Sequence, residues 1–127
     1  MQINKGGSSI AKAMRIFQFT LNPDVQVEEF ERFVAEQLTK APEASGIRIR
    51  FFKCDRDSQG DQIGTYANEL EFDSVEVRDR YFPTVSESSA EFDEWWSEQG
   101  TLWSKFHSMV DGRYVDYIEY EKCEGMA

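Results

Sequence analysis

The stretches Ile47–Cys54 (IRIRFFKC) and Tyr66–Phe72 (YANELEF) alternate apolar and polar residues with period two, and their polar positions carry opposite charges. Arg48 and Arg50 stand in one, Glu69 and Glu71 in the other. Strict alternation marks a strand whose two faces differ chemically, so the two stretches read as a hairpin pair within one sheet. The intervening DRDSQGDQIG is too long for a two-residue turn and reads as a polar loop.

Working outward, Arg15–Leu21 (RIFQFTL) reads as a first strand with Phe17, Phe19 and Leu21 on one face and Gln18 and Thr20 on the other. Asn22-Pro23-Asp24 stops it, and Asp24 is the expected N-cap of a helix of about four turns. Val27, Phe30, Val34 and Leu38 recur there at helical spacing, with Glu28 and Glu29 in the first turns facing the positive end of the dipole. After Phe72, Asp73-Ser74 offers a cap ahead of a second helix, VEVRDRYF, which Pro83 interrupts. Phe92, Trp95, Trp96, Trp103, Phe106 and Val110 then resume helical periodicity across a break at Gly100, predicting two short helices. Asp111-Gly112 reads as a turn, and Arg113–Glu121 as a final strand of ambiguous parity, with Tyr114, Ile118 and Tyr120 competing against Val115 and Tyr117 for the apolar face.

The order strand, helix, strand, strand, helices, strand is that of two interlocked β-α-β units. The predicted fold is α+β, a ferredoxin-like βαββαβ sandwich with an antiparallel sheet. Its helices cover Phe17, Phe19, Leu21, Ile47, Ile49, Phe51, Leu70 and Phe72. The other sheet face carries Gln18, Thr20, Arg48, Arg50, Phe52, Glu69 and Glu71, where Arg and Glu can pair across strands.

A length of 127 residues with 40% hydrophobic and 14% aromatic content suits one domain with a core. Residues 14–122 are read as that domain, 1–13 as a flexible N-terminal arm and 123–127 as a C-terminal tail. Fourteen basic residues against twenty-four acidic ones leave a net charge of −10, with no basic cluster, which argues against nucleic acid and anionic membranes as partners. No run approaches the roughly 18 apolar residues of a membrane helix, so the expected location is cytoplasmic. Cys54 and Cys123 read as structural thiols. One histidine and two distant cysteines lack ligand spacing, so neither a metal nor a cofactor is expected.

In element order, and in YANELEFDSVEVRDRYF, where a strand ends in Phe-Asp-Ser and enters a helix containing Arg, the chain resembles the dimeric α/β-barrel superfamily. That group includes EthD-like and NIPSNAP-like proteins and the cofactor-independent antibiotic-biosynthesis monooxygenases, and the resemblance spans Met14 to Glu121. It implies a homodimer in which two sheets face each other to close a barrel, and a small apolar ligand held between sheet and helices. The superfamily includes enzymes and haem binders, so fold analogy leaves the activity open.

Candidate ligand-binding residues follow from the helix-covered parity. Asn68 shares it with Tyr66, and a buried amide must bond either to neighbouring backbone or to a ligand. Tyr66, Phe82, Trp96 and Trp103 are the expected walls. His107 is four residues from both Trp103 and Asp111, which on a helix puts the three on one flank. It is an orienting group, a general base, or, as in some relatives, a haem ligand. Arg78, beside Asp79, is the expected rim partner for a carboxylate. No phosphate loop, nucleophile elbow or Cys-His pair is present. The leading expectation is a homodimeric binder of a fatty or aromatic small molecule, fatty and aromatic acids included; the alternatives are a cofactor-independent or haem-dependent monooxygenase-like enzyme and a structural or interaction module without a pocket.

Overall fold

The computed structural model describes residues 10–61 and 64–120. Strands β1 (Ile10–Leu21), β2 (Ile47–Lys53), β3 (Thr65–Phe72) and β4 (Val110–Tyr120) form one sheet in the order β2-β3-β1-β4, every neighbouring pair antiparallel. Helices α1 (Val27–Glu36), α2 (Val75–Tyr81), α3 (Ala90–Glu98) and α4 (Leu102–Ser108) connect the strands, with a 3-10 turn at Leu38–Lys40. The C-terminal tail 123–127 and Cys123 lie outside the described residues, as do residues 1–9 of the expected arm. Cys54 is half-buried.

The register joins the opening stretches as their charges require. Arg48 lies opposite Glu71 and Arg50 opposite Glu69. Arg48 Nε donates to Glu71 Oε1 at 2.7 Å, Arg50 donates to Glu69, and Lys12 stands 3.6 Å from Glu71. The Arg48 guanidinium holds the Glu71 carboxyl below the usual carboxylate range. These pairs occupy the face away from the helices, together with Phe52 and Tyr117, both nearly half exposed.

The other face carries Ala13, Phe17, Phe19, Ile47, Tyr66, Asn68 and Phe72, all buried. Two apolar clusters form on it. One joins Phe30 and Phe33 of α1 and Trp103 and Phe106 of α4 to Phe17, Phe19 and Tyr66. The other joins Tyr81 and Phe82 at the end of α2 and Phe92 of α3 to Ala13, Ile47 and Phe72. Ile49, Trp95 and Trp96 touch both clusters and are only partly buried. The core is therefore thin at its middle.

Helix termini follow local chemistry where a serine is present. Ser74 Oγ accepts from Val77 N–H and Ser89 Oγ from Phe92 N–H, each at 3.1 Å, satisfying a donor that the first turn cannot pair. Three expectations are corrected. Asp24 does not cap α1, which starts at Val27 behind Gln26 with no side-chain cap; the residues between form a turn closed by Val25 N–H on the Asn22 carbonyl. The first strand begins at Ile10 rather than Arg15, taking in residues 10–13 of the expected arm, because Ala13, fully buried opposite Phe72, continues the inward parity. Asp111-Gly112 is strand rather than turn, since Gly112 pairs with Phe19 where the two backbones approach closely. The reversal lies earlier, at Met109, whose carbonyl accepts from Asn22 N–H at 2.9 Å.

Candidate functional site

At the junction of the two clusters a small cleft opens between the sheet and helices α3 and α4, with a cavity volume of about 70 Å³. Its floor is Arg15 of β1, Ile49 of β2, and Asn68 and Leu70 of β3, all on one sheet face. Its walls are Phe82, Phe92, Trp95, Trp96, Trp103, His107 and Tyr114. Trp95 and Trp96 are consecutive, so a helix directs them about 100° apart. Both still reach Trp103, with ring centroids 6.1 Å away in each case. A wider vestibule shares Arg15, Phe82, Phe92, Trp96 and Tyr114 with the cleft and continues under Val85–Ser88 toward solvent.

Arg15 is the one cation on the floor, and it is 5% exposed. Its Nε donates to Asp116 Oδ1 at 2.8 Å and its Nη2 to Asp116 Oδ2 at 3.2 Å, a bidentate pair across the β1–β4 register. The guanidinium carbon lies 4.0 Å from the centre of the Phe82 ring, a cation–π contact that covers its flat side.

A chain of polar contacts runs along one wall. A carbonyl oxygen only accepts, so the 2.9 Å contact between His107 Nδ1 and the Trp103 carbonyl puts the proton on Nδ1. In the tautomer with the proton on Nδ1, Nε2 is an acceptor for the Tyr114 hydroxyl that it contacts. Loss of water around that hydroxyl pushes the phenol up to about 12, partly opposed by Arg15. The ring is 40% exposed at the sheet edge, so its crowded side, stacked 4.5 Å from Phe17, supplies the effect. Asn68 uses its amide N–H on the Arg50 carbonyl at 3.1 Å, the backbone partner that a buried amide calls for.

Two donors on the walls have no partner. The indole Nε1–H groups of Trp95 and Trp103 are buried and unbonded. A buried donor left unmet costs about 1–3 kcal/mol, so a core packed only for stability would pair or expose them.

Of the residues singled out from the sequence, Asn68, Phe82, Trp96, Trp103 and His107 come together in the cleft. Tyr66 does not. It lines a separate apolar groove with Phe19, Phe30 and Phe51, near the Lys53–Glu31 pair at 2.8 Å, because Phe17, Phe106 and Trp103 fill the space between. Arg78 is also elsewhere, bonded to Asp79 at 3.1 Å, since α2 turns that side away from the cleft. Asp111 does not share a flank with His107 and Trp103, because α4 ends at Ser108. Arg15, Tyr114 and Phe92 were not singled out. Arg15 was readable: it has the parity of Phe17 and Phe19, and a charge on an apolar face needs a partner. Tyr114 was hidden by the ambiguous parity of the last strand.

Among the described residues no three His, Cys, Asp or Glu side chains gather as a metal site, and no helix is long and apolar enough to cross a membrane. No family model, curated protein or solved structure matches the chain.

Proposed function

We propose that this chain is a small-molecule-binding protein whose ligand is a flat aromatic compound held in the cleft between the sheet and helices α3 and α4. One observation carries the reading: the core stays open where its two apolar clusters meet, and the opening is lined by aromatic rings rather than closed by them. Binding sites combine such apolar walls with a few oriented polar groups, here Arg15, Asn68, His107 and Tyr114. Rings stacked between these walls bury large apolar areas at little entropic cost, which favours an aromatic ligand over a flexible fatty chain. The test is a titration with naphthalene followed at the tryptophan indole resonances, because all three tryptophans line the cleft. Saturable shifts are expected; resonances that stay fixed up to the solubility limit overturn the reading.

In this reading the fold is a ferredoxin-like sandwich, supported by the strand order β2-β3-β1-β4, and two copies pair through their open sheet faces. Phe52 and Tyr117, exposed among the Arg–Glu pairs, supply apolar contact area for that pairing, and the charges set its register. Sedimentation equilibrium is expected to give twice the chain mass at micromolar concentration, and Phe52→Asp to give the monomer. A wild-type chain that stays monomeric there contradicts the pairing.

A further inference from the structure

The binding reading above leaves the ligand's charge and polar groups open, and the polar groups of the cleft address both. Every unmet group that is buried on its walls is a donor: the indole Nε1–H of Trp95 and of Trp103, the latter ring being 4% exposed. The matching ligand must therefore bring acceptors. An anionic acceptor, a carboxylate, is the obvious candidate near an arginine, but Arg15 is already neutralised by a bidentate carboxylate, Asp116, and its flat side is covered by Phe82. The vestibule adds two further carboxylates, Glu87 and Asp93, on the way in. One guanidinium thus faces three carboxylates along the path, on a chain of net charge −10. A ligand carboxylate would lose its hydration and meet a field of its own sign. A cationic ligand is favoured by that field, but it would meet Arg15 on the floor and, whether or not it bears N–H groups, would offer no acceptor to the indoles through its charged group.

We propose that the cleft takes an uncharged, flat aromatic molecule bearing a carbonyl or ether oxygen, which accepts from the indole N–H groups of Trp95 and Trp103, and that it discriminates against aromatic carboxylates. The inference rests on the binding reading and adds to it the ligand's charge and its hydrogen-bonding pattern. Asn68 Oδ1 and the Tyr114 oxygen, whose hydrogen points to His107, are acceptors available to a hydroxyl on the same ligand.

Four probes that share one ring system separate the possibilities: naphthalene, 2-acetylnaphthalene, 2-naphthoate and (2-naphthylmethyl)trimethylammonium, each titrated calorimetrically into the full chain. One net hydrogen bond predicts that the ketone binds about ten-fold tighter than naphthalene. The naphthoate is expected to bind at least about ten-fold weaker than the ketone, given the cost of burying a charge without a partner. Trp103→Phe and Trp95→Phe keep flat apolar walls but remove one donor each. Either is expected to narrow the ketone-to-naphthalene ratio to about two-fold or less, with circular dichroism verifying the fold. Equal affinities for ketone and naphthalene overturn the inference and leave the binding reading standing, as does tightest binding of the naphthoate or of the ammonium. A ratio that survives both tryptophan substitutions also overturns it. Failure of all four probes overturns the binding reading itself.

Discussion

Asp116→Ala is expected to destabilise the fold by about 3–5 kcal/mol, the usual consequence of removing one partner from a buried ion pair. Arg15, 5% exposed, would keep the Thr84 carbonyl at 3.5 Å and the faces of Phe82 and Tyr114, none of which neutralises its charge. For a domain of this size the midpoint of thermal unfolding should fall by roughly 10–20 °C. The loss reports the charge left behind rather than the worth of the pair. The double variant Arg15→Met, Asp116→Leu should therefore recover most of it, because apolar side chains of similar volume replace buried pairs with little or no loss. Thermal and denaturant unfolding of the single and double variants check this. A single variant within 1 kcal/mol of the parent would show that water reaches Arg15 freely and that the floor of the cleft is not dry.

Gly112→Val is the second large effect. A Cβ at Gly112 would stand 2.1 Å from the Gln18 carbonyl oxygen and 2.6 Å from Phe19 Cβ. Neither neighbour is the free end of a flexible side chain: one is backbone in the central strand β1, the other anchors a ring buried in the core. Strand β4 must move away from β1, which breaks ladder hydrogen bonds and displaces Tyr114 from the cleft wall. Forced overpacking of this kind costs about 3 kcal/mol or more, and chain expression as soluble protein should drop with it. Asp111→Ala, one residue away, exposed and on the opposite parity, is the control and should change stability by less than about 0.5 kcal/mol. Equal stability of Gly112→Val and the parent would contradict the close approach of the two strands.

These two positions also show where a sequence stops speaking. Period-two alternation in IRIRFFKC and YANELEF is a local signal, and with opposite charges it reported both faces and that Arg and Glu can pair across the strands; which Arg meets which Glu, Arg48 with Glu71 and Arg50 with Glu69, comes from the register. Helix starts at Ser74 and Ser89 rest on a hydroxyl within three residues of the amide it serves, and the first of these was legible for that reason. Gly112 was misread as a turn because glycine serves two ends, conformational freedom and close approach, and only the distance to β1 separates them. Arg15 and Asp116 are 101 residues apart, so their pairing depends on a register that neither stretch encodes alone. The aromatic half of the cleft was partly legible, since Trp96, Trp103 and His107 recur at helical spacing. Tyr66 was assigned to it because parity places a residue on a face but says nothing of its position along the strand.

The central claim, that the opening between the two apolar clusters is an aromatic-ligand site, is tested most directly at the three indole N–H groups. Each gives its own resonance in a nitrogen–proton correlation spectrum, assigned by single Trp→Phe substitutions. On titration with 2-acetylnaphthalene the Trp95 and Trp103 resonances should move downfield together, saturably and with one affinity, as their unmet donors find an acceptor. Leu70→Trp, which fills the floor of the cleft, should abolish the response. Resonances that remain in place while calorimetry shows the probe bound would put the ligand elsewhere on the molecule and contradict the account.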